Sequence, residues 1–462
     1  MRKLLLLFVI LFLIGCNENK VYKTYDTIKE DDNTDLSINS DPIVSGTQEE
    51  KIATAKLIIE GASGFELFAS ELGWETNENI NITGDPNAIK GDTLRFVAGT
   101  VFPNNFRTIG KDSRSQFSGQ LEYMIYETLM QFDSETFQMQ PALATHWKML
   151  GDSLTYKFRI NPKAKFSDGK EVTAFDVVAS FNLMADEGHG DPNVSTYWNE
   201  RFEIPVAESK YIVSFKAKRK EWRLIYSLGG IAVYPAYYLD KINGEQFIEK
   251  YQFDFMPGSG PYKLDKNRTT QDNNGLVVLE KRKNYWAENE PRNTGKWNFN
   301  TVEFLFINDE TQEVVRFFNG DYDTYQVSRA QWWNQKFTSD EYPLIERGLI
   351  QRKKFINFQP MGLGGIAFNS LEEPFNDIRV REAFCHLWDV TTLQDKLFFN
   401  EYVRKNSYFP NTKYEHPDNP IQDFRPEYAI KLLNEAGWIK KPGDKWLTNN
   451  KFSYVLIEKI EN

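Results

Sequence analysis

The chain has 462 residues, of which 41% are hydrophobic and 15% are aromatic, and its formal net charge is -10. This composition predicts a globular protein rather than a disordered one, and the length predicts more than one hydrophobic core. The negative charge argues against general nucleic-acid binding, which needs a basic surface.

The N-terminus has the pattern of a signal peptide. Two basic residues precede an apolar run over 4–14, which is too short to span a bilayer as a helix but suits a signal-peptide core. The run ends in the letters LIGC at Cys16, which resemble the lipobox of bacterial lipoproteins. That resemblance implies cleavage before Cys16 and attachment of lipid to it. We therefore predict a signal peptide over 1–15 and a lipidated tether with an N-terminal extension over 16–90.

The segment 142–182 has the clearest secondary-structure pattern. Its second strand alternates polar residues with four apolar ones, Leu154, Tyr156, Phe158 and Ile160. Asp168 and Gly169 suit the tight turn that follows. Thr173 lies three residues before Asp176, a spacing that predicts a capped helix start.

Apolar periodicity predicts elements on both sides of this segment. The predicted strands are 93–98, 211–215 and 302–306, with a last strand starting near 452, and the predicted helices are 50–72, 121–129, 309–318, 380–388 and 428–436. Asp309 and Asp377 are expected to cap their helices, whereas Arg425 stands where a cap is expected. A polar loop is predicted over 188–201. Cys385 falls on an apolar helical pattern and is predicted to lie in the core.

Motifs of catalysis are missing from the sequence. The four histidines are scattered, with no HExxH pair, and the sequence has no cysteine cluster, Walker loop or GxSxG motif. We therefore predict a protein that is not an enzyme and that carries no cofactor or metal. A secreted hydrolase would need a catalytic dyad that the sequence does not display.

Several motifs occur in an order that resembles one known family. They are LA and W within 143–147, DxLTYxF at 152–158, FxDG at 166–169, TAxDVVxSF at 173–181, YETL at 126–129, GSGPY at 258–262, PFNDIRVREAF at 374–384 and AIKLLNEAGW at 429–438. These motifs are similar to those of the extracellular solute-binding proteins of family 5, the oligopeptide and dipeptide receptors of ABC importers. Most of these residues shape hairpins and helix starts, so they identify the family without locating its site.

The resemblance implies an α/β protein with a two-lobed periplasmic-binding-protein-like fold, of type II and of the large peptide-binding cluster. A mixed sheet is expected in each lobe. Lobe I is expected over 91–325, with a subdomain at about 134–240, and lobe II over 326–462. Family members usually continue beyond the last residue of this chain, so lobe II is expected to be truncated.

The resemblance also implies a function. The expected role is capture of short peptides in an inter-lobe cleft and their delivery to a membrane permease driven by an ATPase. We expect a monomer that binds no nucleic acid and is lipid-anchored to a bacterial membrane, with its body in the periplasm or on the cell surface. Two alternatives stay open: a receptor for another small solute, such as a metal chelate or a sugar, and a truncated structural or signalling lipoprotein without import function.

Eight residues are candidates for ligand contact because family members bring the corresponding regions to the ligand. They lie in the loop after the first strand, in the predicted loop 188–201 and near the crossing between lobes. They are Arg114, Ser115, Gln116, Tyr197, Trp198, Tyr325, Trp332 and Asn369.

Overall fold

The computed structural model of the chain describes residue 65 and residues 69–70, 72–113, 115–133, 135–271, 275–338, 342–355, 364–410, 412, 414–449 and 455–456. The predicted signal peptide, Cys16, Arg114 and most of the predicted helix 50–72 lie outside the described residues. No helix within these ranges is both long enough and apolar enough to cross a membrane.

The described residues form two compact units. The first comprises residues up to 133 together with 138–323, and the second comprises 135–137 together with residues from 324 onward. One difference from the predicted subdomain 134–240 concerns residues 135–137, which group with the second unit. The ring of Phe137 lies 5.7 Å from that of Tyr414, and this aromatic contact accounts for the grouping.

The described part of the first unit contains ten strands and seven helices. The strands are β1 (Thr93–Gly99), β2 (Met130–Phe132), β3 (Met139–Pro141), β4 (Ala144–Met149), β5 (Thr155–Ile160), β6 (Val206–Ala207), β7 (Ile212–Lys216), β8 (Tyr262–Leu264), β9 (Leu276–Lys281) and β10 (Thr301–Phe306). The helices are α1 (Gln116–Ile125), α2 (Ala174–Ala185), α3 (Pro192–Arg201), α4 (Leu224–Gly229), α5 (Ala236–Leu239), α6 (Gly244–Lys250) and α7 (Glu310–Phe318). Short 3-10 turns occupy Glu187–His189 and Pro291–Asn293.

Two four-stranded sheets organise the first unit. One has the order β1-β10-β9-β8 and is mixed, because β1 runs parallel to β10 while the other neighbours are antiparallel. The other has the order β4-β5-β7-β6 and is antiparallel. Phe158 on β5 and Phe304 on β10 are fully buried and belong to one continuous apolar core. The strands predicted at 93–98, 211–215 and 302–306 are confirmed with small shifts at their ends.

Thr173 and Asp176, which are three residues apart, form hydrogen bonds with each other at the start of α2. The carboxylate of Asp176 accepts hydrogen bonds from both the backbone N–H and the hydroxyl of Thr173, each at 2.7 Å. It also accepts one from the backbone N–H of Ala236 at 2.8 Å. One buried side chain therefore begins α2 and attaches it to α5. The turn before it contains Gly169 at φ 88°, a conformation that favours glycine.

The second unit is built mainly from helices. They are α8 (Pro343–Glu346), α9 (Ile378–Leu387), α10 (Val390–Thr392) and α11 (Pro426–Glu435), with π-turns at Trp332–Lys336 and Leu393–Leu397. Strands β11 (Leu447–Thr448) and β12 (Val455–Leu456) pair antiparallel. The core between α9 and α11 contains Val380, Ala383, Ala429, Leu432, Leu433, Trp438 and Leu447.

The helix caps in the C-terminal half of the chain are as predicted from the sequence. Asp309 accepts a hydrogen bond from the backbone N–H of Gln312 at the start of α7, and Asp377 accepts one from that of Arg379 at the start of α9. Arg425 gives α11 no side-chain cap.

Three sequence-based predictions were wrong in detail. Most of the predicted loop 188–201 is helical, because Asp191 caps α3 by accepting hydrogen bonds from the N–H groups of Asn193 and Val194 and Pro192 suits the first helical position. The helix predicted over 121–129 ends at Ile125, beyond which the backbone is extended. Cys385 is exposed rather than buried, because it lies on the side of α9 away from Val380 and Ala383.

Candidate ligand-binding site

The GSGPY motif lies against the end of α1. The backbone N–H of Gly260 donates to the carbonyl of Ile125 at 2.8 Å. An added Cβ at Gly258 would lie 2.0 Å from that same carbonyl oxygen, so the contact requires glycine. Between the two glycines, the hydroxyl of Ser259 accepts a hydrogen bond from the backbone N–H of Glu127 at 3.0 Å. The motif therefore positions Glu127 directly after α1.

Arg282 holds this turn from the other side. Its Nη1 donates to the carbonyls of Gly258 and Gly260 at 3.0 and 2.8 Å, and its Nη2 donates to that of Phe166 at 3.0 Å. Burial lowers the pKa of the guanidinium. Arg282 thus joins the GSGPY turn to the turn that follows β5.

Glu127 is the centre of a buried polar cluster. Its Oε1 accepts from Arg292 Nη2 at 2.7 Å and from the hydroxyl of Tyr285 at 2.7 Å, and its Oε2 accepts from Trp286 Nε1 at 2.6 Å. Glu127 and Arg292 are each about 95% shielded from solvent, with side-chain exposures of 4% and 5%. Burial and the neighbouring carboxylate of Glu127 raise the pKa of Tyr285. The charge of Glu127 is therefore neutralised within the protein.

A cavity of about 130 Å³ opens beside this cluster. Its lining residues come from α1, from the chain through β2, from the loop between α4 and α5, from the turn before β8 and from the segment after β9. They are Gly119, Glu122, Tyr123, Tyr126, Glu127, Thr128, Gln131, Ala232, Pro261, Tyr285 and Trp297. A volume of this size admits a side chain or a small polar group rather than a large solute.

Aromatic rings form one side of the cavity. Tyr123 is 55% exposed, and its ring centroid lies 5.6 Å from that of Trp297. Trp297 Nε1 donates to Asn293 Oδ1 at 2.9 Å, which fixes the orientation of the indole. Such rings offer apolar contact area at low entropy cost, and the amide of Gln131 and the hydroxyl of Thr128 add hydrogen-bonding groups.

The backbone around Thr128 is held on both sides. The carbonyl of Thr128 accepts from the N–H of Leu143 at 3.1 Å, and the N–H of Leu129 donates to the carbonyl of Ile231 at 3.3 Å. The carbonyl of Glu127 accepts from the N–H of Val233 at 3.1 Å. The cavity wall is therefore a rigid extended segment.

Of the candidate residues predicted in the first unit, the four that the structure describes do not line this cavity. Ser115 caps α1 by accepting from the N–H of Ser118 at 2.9 Å, and Gln116 is exposed at the first position of that helix. Tyr197 lies on α3 and its hydroxyl is 2.6 Å from that of Ser227. Trp198 is 8% exposed and belongs to the core. Ligand contact by these residues stays a prediction.

In the second unit, the structure brings Tyr325 and Trp332 together around Phe337, with ring centroids at 5.4 and 5.7 Å. Lys336 Nζ lies 3.9 Å from the centroid of a Trp332 ring. Asn369 is exposed in a turn, where its Oδ1 accepts from the N–H of Leu371 at 3.1 Å. Their contact with a ligand likewise stays a prediction.

The residues that form the cavity were not among the predicted ligand contacts, although Tyr126, Glu127 and Thr128 belong to the YETL motif and Pro261 to GSGPY. The motifs were the signal that could have found them. Arg292 lies 165 residues away from Glu127 in the sequence, so no local pattern predicted the pair. Within the described ranges, no group of three or more histidine, cysteine or acidic side chains could hold a metal ion.

Comparison with known proteins gives relatives of one kind. The chain is 27% identical over 391 residues to the uncharacterized protein YejA of Escherichia coli. The match covers 77% of this chain and 62% of that relative. It is 25% identical over 364 residues to the peptidoglycan-binding protein YepA of Agrobacterium fabrum. That match covers 76% of this chain and 57% of the relative. The chain thus spans less than two thirds of the length of these curated relatives.

The fold agrees with a solved structure of the same kind. The oligopeptide-binding protein AppA of Bacillus subtilis, in complex with a nonapeptide, matches with a TM-score of 0.58 at 22% identity, covering 79% of this chain and 68% of that one. The fold is accordingly that of a type II periplasmic binding protein. The family model for bacterial extracellular solute-binding proteins, family 5, matches residues 138–458, and the chain belongs to that family.

Proposed function

We propose that the chain is the substrate-binding component of an ABC importer and that it captures short peptides. The observation that carries this proposal is the cavity beside Glu127, in a chain that belongs to a solute-binding family. Importer receptors of this kind pass their cargo to a permease and an ATPase, and we assign this chain the same partners. Its ligand is bound without being chemically altered.

The chemistry of the cavity suits one part of a peptide. Its aromatic wall, Tyr123 and Trp297, contacts an apolar or planar group, while Gln131 and Thr128 hydrogen-bond to amides. The charge of Glu127 is already neutralised by Arg292, so the cluster supports the wall rather than acting as a free charge. A site with these features accepts peptides with varied side chains.

Location and anchoring belong to the same proposal. We assign Cys16 as the lipid attachment site, because it ends the apolar run over 4–14 in a lipobox-like sequence. The body then lies in the periplasm or on the cell surface, as a monomer. Metabolic labelling with a radioactive fatty acid tests this directly: the wild-type chain incorporates label and the Cys16→Ala variant does not.

A second candidate ligand is a fragment of peptidoglycan, in which a short peptide is joined to an amino sugar. It is favoured by the name of the relative YepA, which is a peptidoglycan-binding protein. Sugar rings stack on aromatic faces, and Tyr123 presents such a face.

Calorimetric titration of the full chain tests both candidates. The probes are alanine peptides of two to nine residues, a peptidoglycan-derived tripeptide and its disaccharide conjugate, with a ferric chelate and a mannose oligosaccharide as other solute classes. Micromolar binding of peptides supports the proposal, and preference for the disaccharide conjugate supports the second candidate. Binding of the chelate or sugar alone overturns both, and recovery of cleaved peptide shows an enzyme instead.

A matched pair of variants links binding to the cavity. Tyr123→Ala removes a ring from the cavity wall, and we expect it to weaken binding about tenfold. Tyr226→Ala removes a partly exposed ring of the same type from α4, outside the cavity, and leaves binding unchanged. Equal effects of the two substitutions contradict the assignment of the site.

A further inference from the structure

We propose that Glu122 determines specificity in the cavity, by selecting peptides that place a cationic side chain, such as the ammonium of lysine or the guanidinium of arginine, beside its carboxylate. This inference rests on the proposed solute-binding function and names the chemical class of group that the site prefers. It is independent of the eight ligand-contact residues predicted from the sequence.

Glu122 is held rigidly at the wall of the cavity. It lies in the last turn of α1, and the hydroxyls of Thr108 and Tyr234 both donate to its Oε1. Both donors use the same oxygen, and no described residue donates to Oε2, which can therefore accept a hydrogen bond from a ligand. A carboxylate that is already ordered loses little entropy when a ligand binds.

Glu122 and Glu127, the two acidic residues that line the cavity, differ in whether a cation of the protein compensates their charge. Glu127 is paired with Arg292 at 2.7 Å, so its charge is cancelled inside the protein. Glu122 receives only neutral hydroxyl donors, and among the described residues it pairs with no cation. A largely buried carboxylate without a counter-ion is unfavourable, and a ligand cation supplies the missing charge.

A second, smaller cavity lies behind Glu122. Its volume is about 20 Å³, enough for about one water molecule, and it is lined by both Glu122 and Tyr251. Tyr251 is 4% exposed, and its buried hydroxyl has no hydrogen-bond partner among the described residues. This cavity is too small for a ligand, so the cation must come from the larger one.

The proton on Glu122 competes with the ligand cation. Burial raises the pKa of Glu122, and hydrogen bonds from Thr108 and Tyr234 oppose that rise. The other titratable or charged groups that line the two cavities around it are Arg107, Tyr123, Tyr126, Glu127, Tyr251, Asp254 and Tyr285. Since the cation binds the ionised carboxylate, preference for cationic solutes increases as the pH rises through the pKa of Glu122.

The test compares tripeptides that differ only in one charge. The probes are trialanine peptides with lysine or its neutral analogue norleucine at each position in turn, titrated calorimetrically into the full chain at pH 8 and pH 5. We expect at least one lysine peptide to bind about tenfold more tightly than its norleucine counterpart at pH 8. At pH 5 the difference in affinity between the two peptides should be smaller. Glu122→Gln removes the preference and keeps the norleucine affinity, whereas Glu200→Gln, on exposed α3 surface, changes neither.

The outcomes separate the two proposals. If the norleucine peptides bind and lysine gives no advantage, the role of Glu122 is overturned while peptide capture stands. If the preference persists unchanged in Glu122→Gln, the same inference is overturned. If no tripeptide binds the wild-type chain, the selection of cationic tripeptides by Glu122 is overturned, and the titration with peptides of two to nine residues decides peptide capture separately. The pH dependence of the wild-type preference needs no variant, so a misfolded Glu122→Gln protein still leaves a decisive measurement.

Discussion

The carboxylate of Glu127 and the guanidinium of Arg292 form a buried ion pair, with Oε1 2.7 Å from Nη2. Glu127 lies two residues after the end of α1, and Arg292 lies in the 3-10 turn after β9. Tyr285 and Trp286 complete the shell around the carboxylate. The pair joins two distant parts of the chain at the floor of the cavity.

Removing Arg292 should therefore destabilise the first unit strongly. In Arg292→Ala the carboxylate of Glu127 stays buried without its cation, and we expect the free energy of unfolding to fall by about 3 kcal/mol. Lys210→Ala is the control: it breaks the exposed pair with Glu171, where the side chains are 47% and 42% exposed, and should change stability by less than about 1 kcal/mol. Urea unfolding followed by tryptophan fluorescence measures both, and similar losses would contradict the role of the buried pair.

Gly258→Ala should be one of the most damaging small substitutions in the chain. Its new Cβ would lie 2.0 Å from the carbonyl oxygen of Ile125, so the turn must move away from α1. We expect a loss of at least about 2 kcal/mol in thermal or urea unfolding. Gly119→Ala places a methyl group on α1 with no atom within 4 Å, and it should stabilise the helix by up to about 1 kcal/mol. A Gly258→Ala protein as stable as wild type would refute the close contact.

The contribution of Asp176 to the free energy of unfolding should decrease as the pH rises from about 4 to about 6. Burial raises the pKa of Asp176 from 3.8 to about 6. In this window the folded protein keeps the proton that the unfolded chain releases, so folding takes up a proton and is favoured at the lower pH. Glu122, whose pKa is also raised, acts in the same direction.

Asp176→Asn tests this dependence, because an amide does not titrate. The variant is expected to be less stable overall, since the amide nitrogen cannot accept from Thr173, but its free energy of unfolding should fall less between pH 4 and pH 6. The slope against pH is the informative quantity. Parallel curves for the two proteins would show that Asp176 keeps an ordinary pKa in the folded state.

Cys385 should react with a thiol reagent in the native protein. It is exposed on α9, so a maleimide needs no unfolding to reach it. We expect the native full chain to label at this position about as fast as the urea-unfolded chain, and Cys385→Ser to lose that label, as mass spectrometry of tryptic peptides can show. If the maleimide reacted with Cys385 only after unfolding, the residue would be buried in the core, as the sequence pattern predicted.

The sequence by itself determined the class of the protein. Alternation over 154–160, the Thr173–Asp176 spacing and the caps at Asp309 and Asp377 are local signals, and the structure confirms each of them because they depend on neighbouring residues alone. The motifs also identified the family, since their order along the chain does not depend on knowing any contact.

Only the tertiary structure decided where a ligand could be held. The cavity joins Glu122 and Tyr123 on α1 to Tyr285 and Trp297, and no periodicity links segments so distant in sequence. Packing also decided the surroundings of Trp198: capping by Asp191 makes its polar stretch a helix, and the ring is 8% exposed, while its contact with a ligand stays a prediction. Burial, pairing and compensation of charge are properties of the folded chain, because each arises from contacts that form only when remote segments pack together.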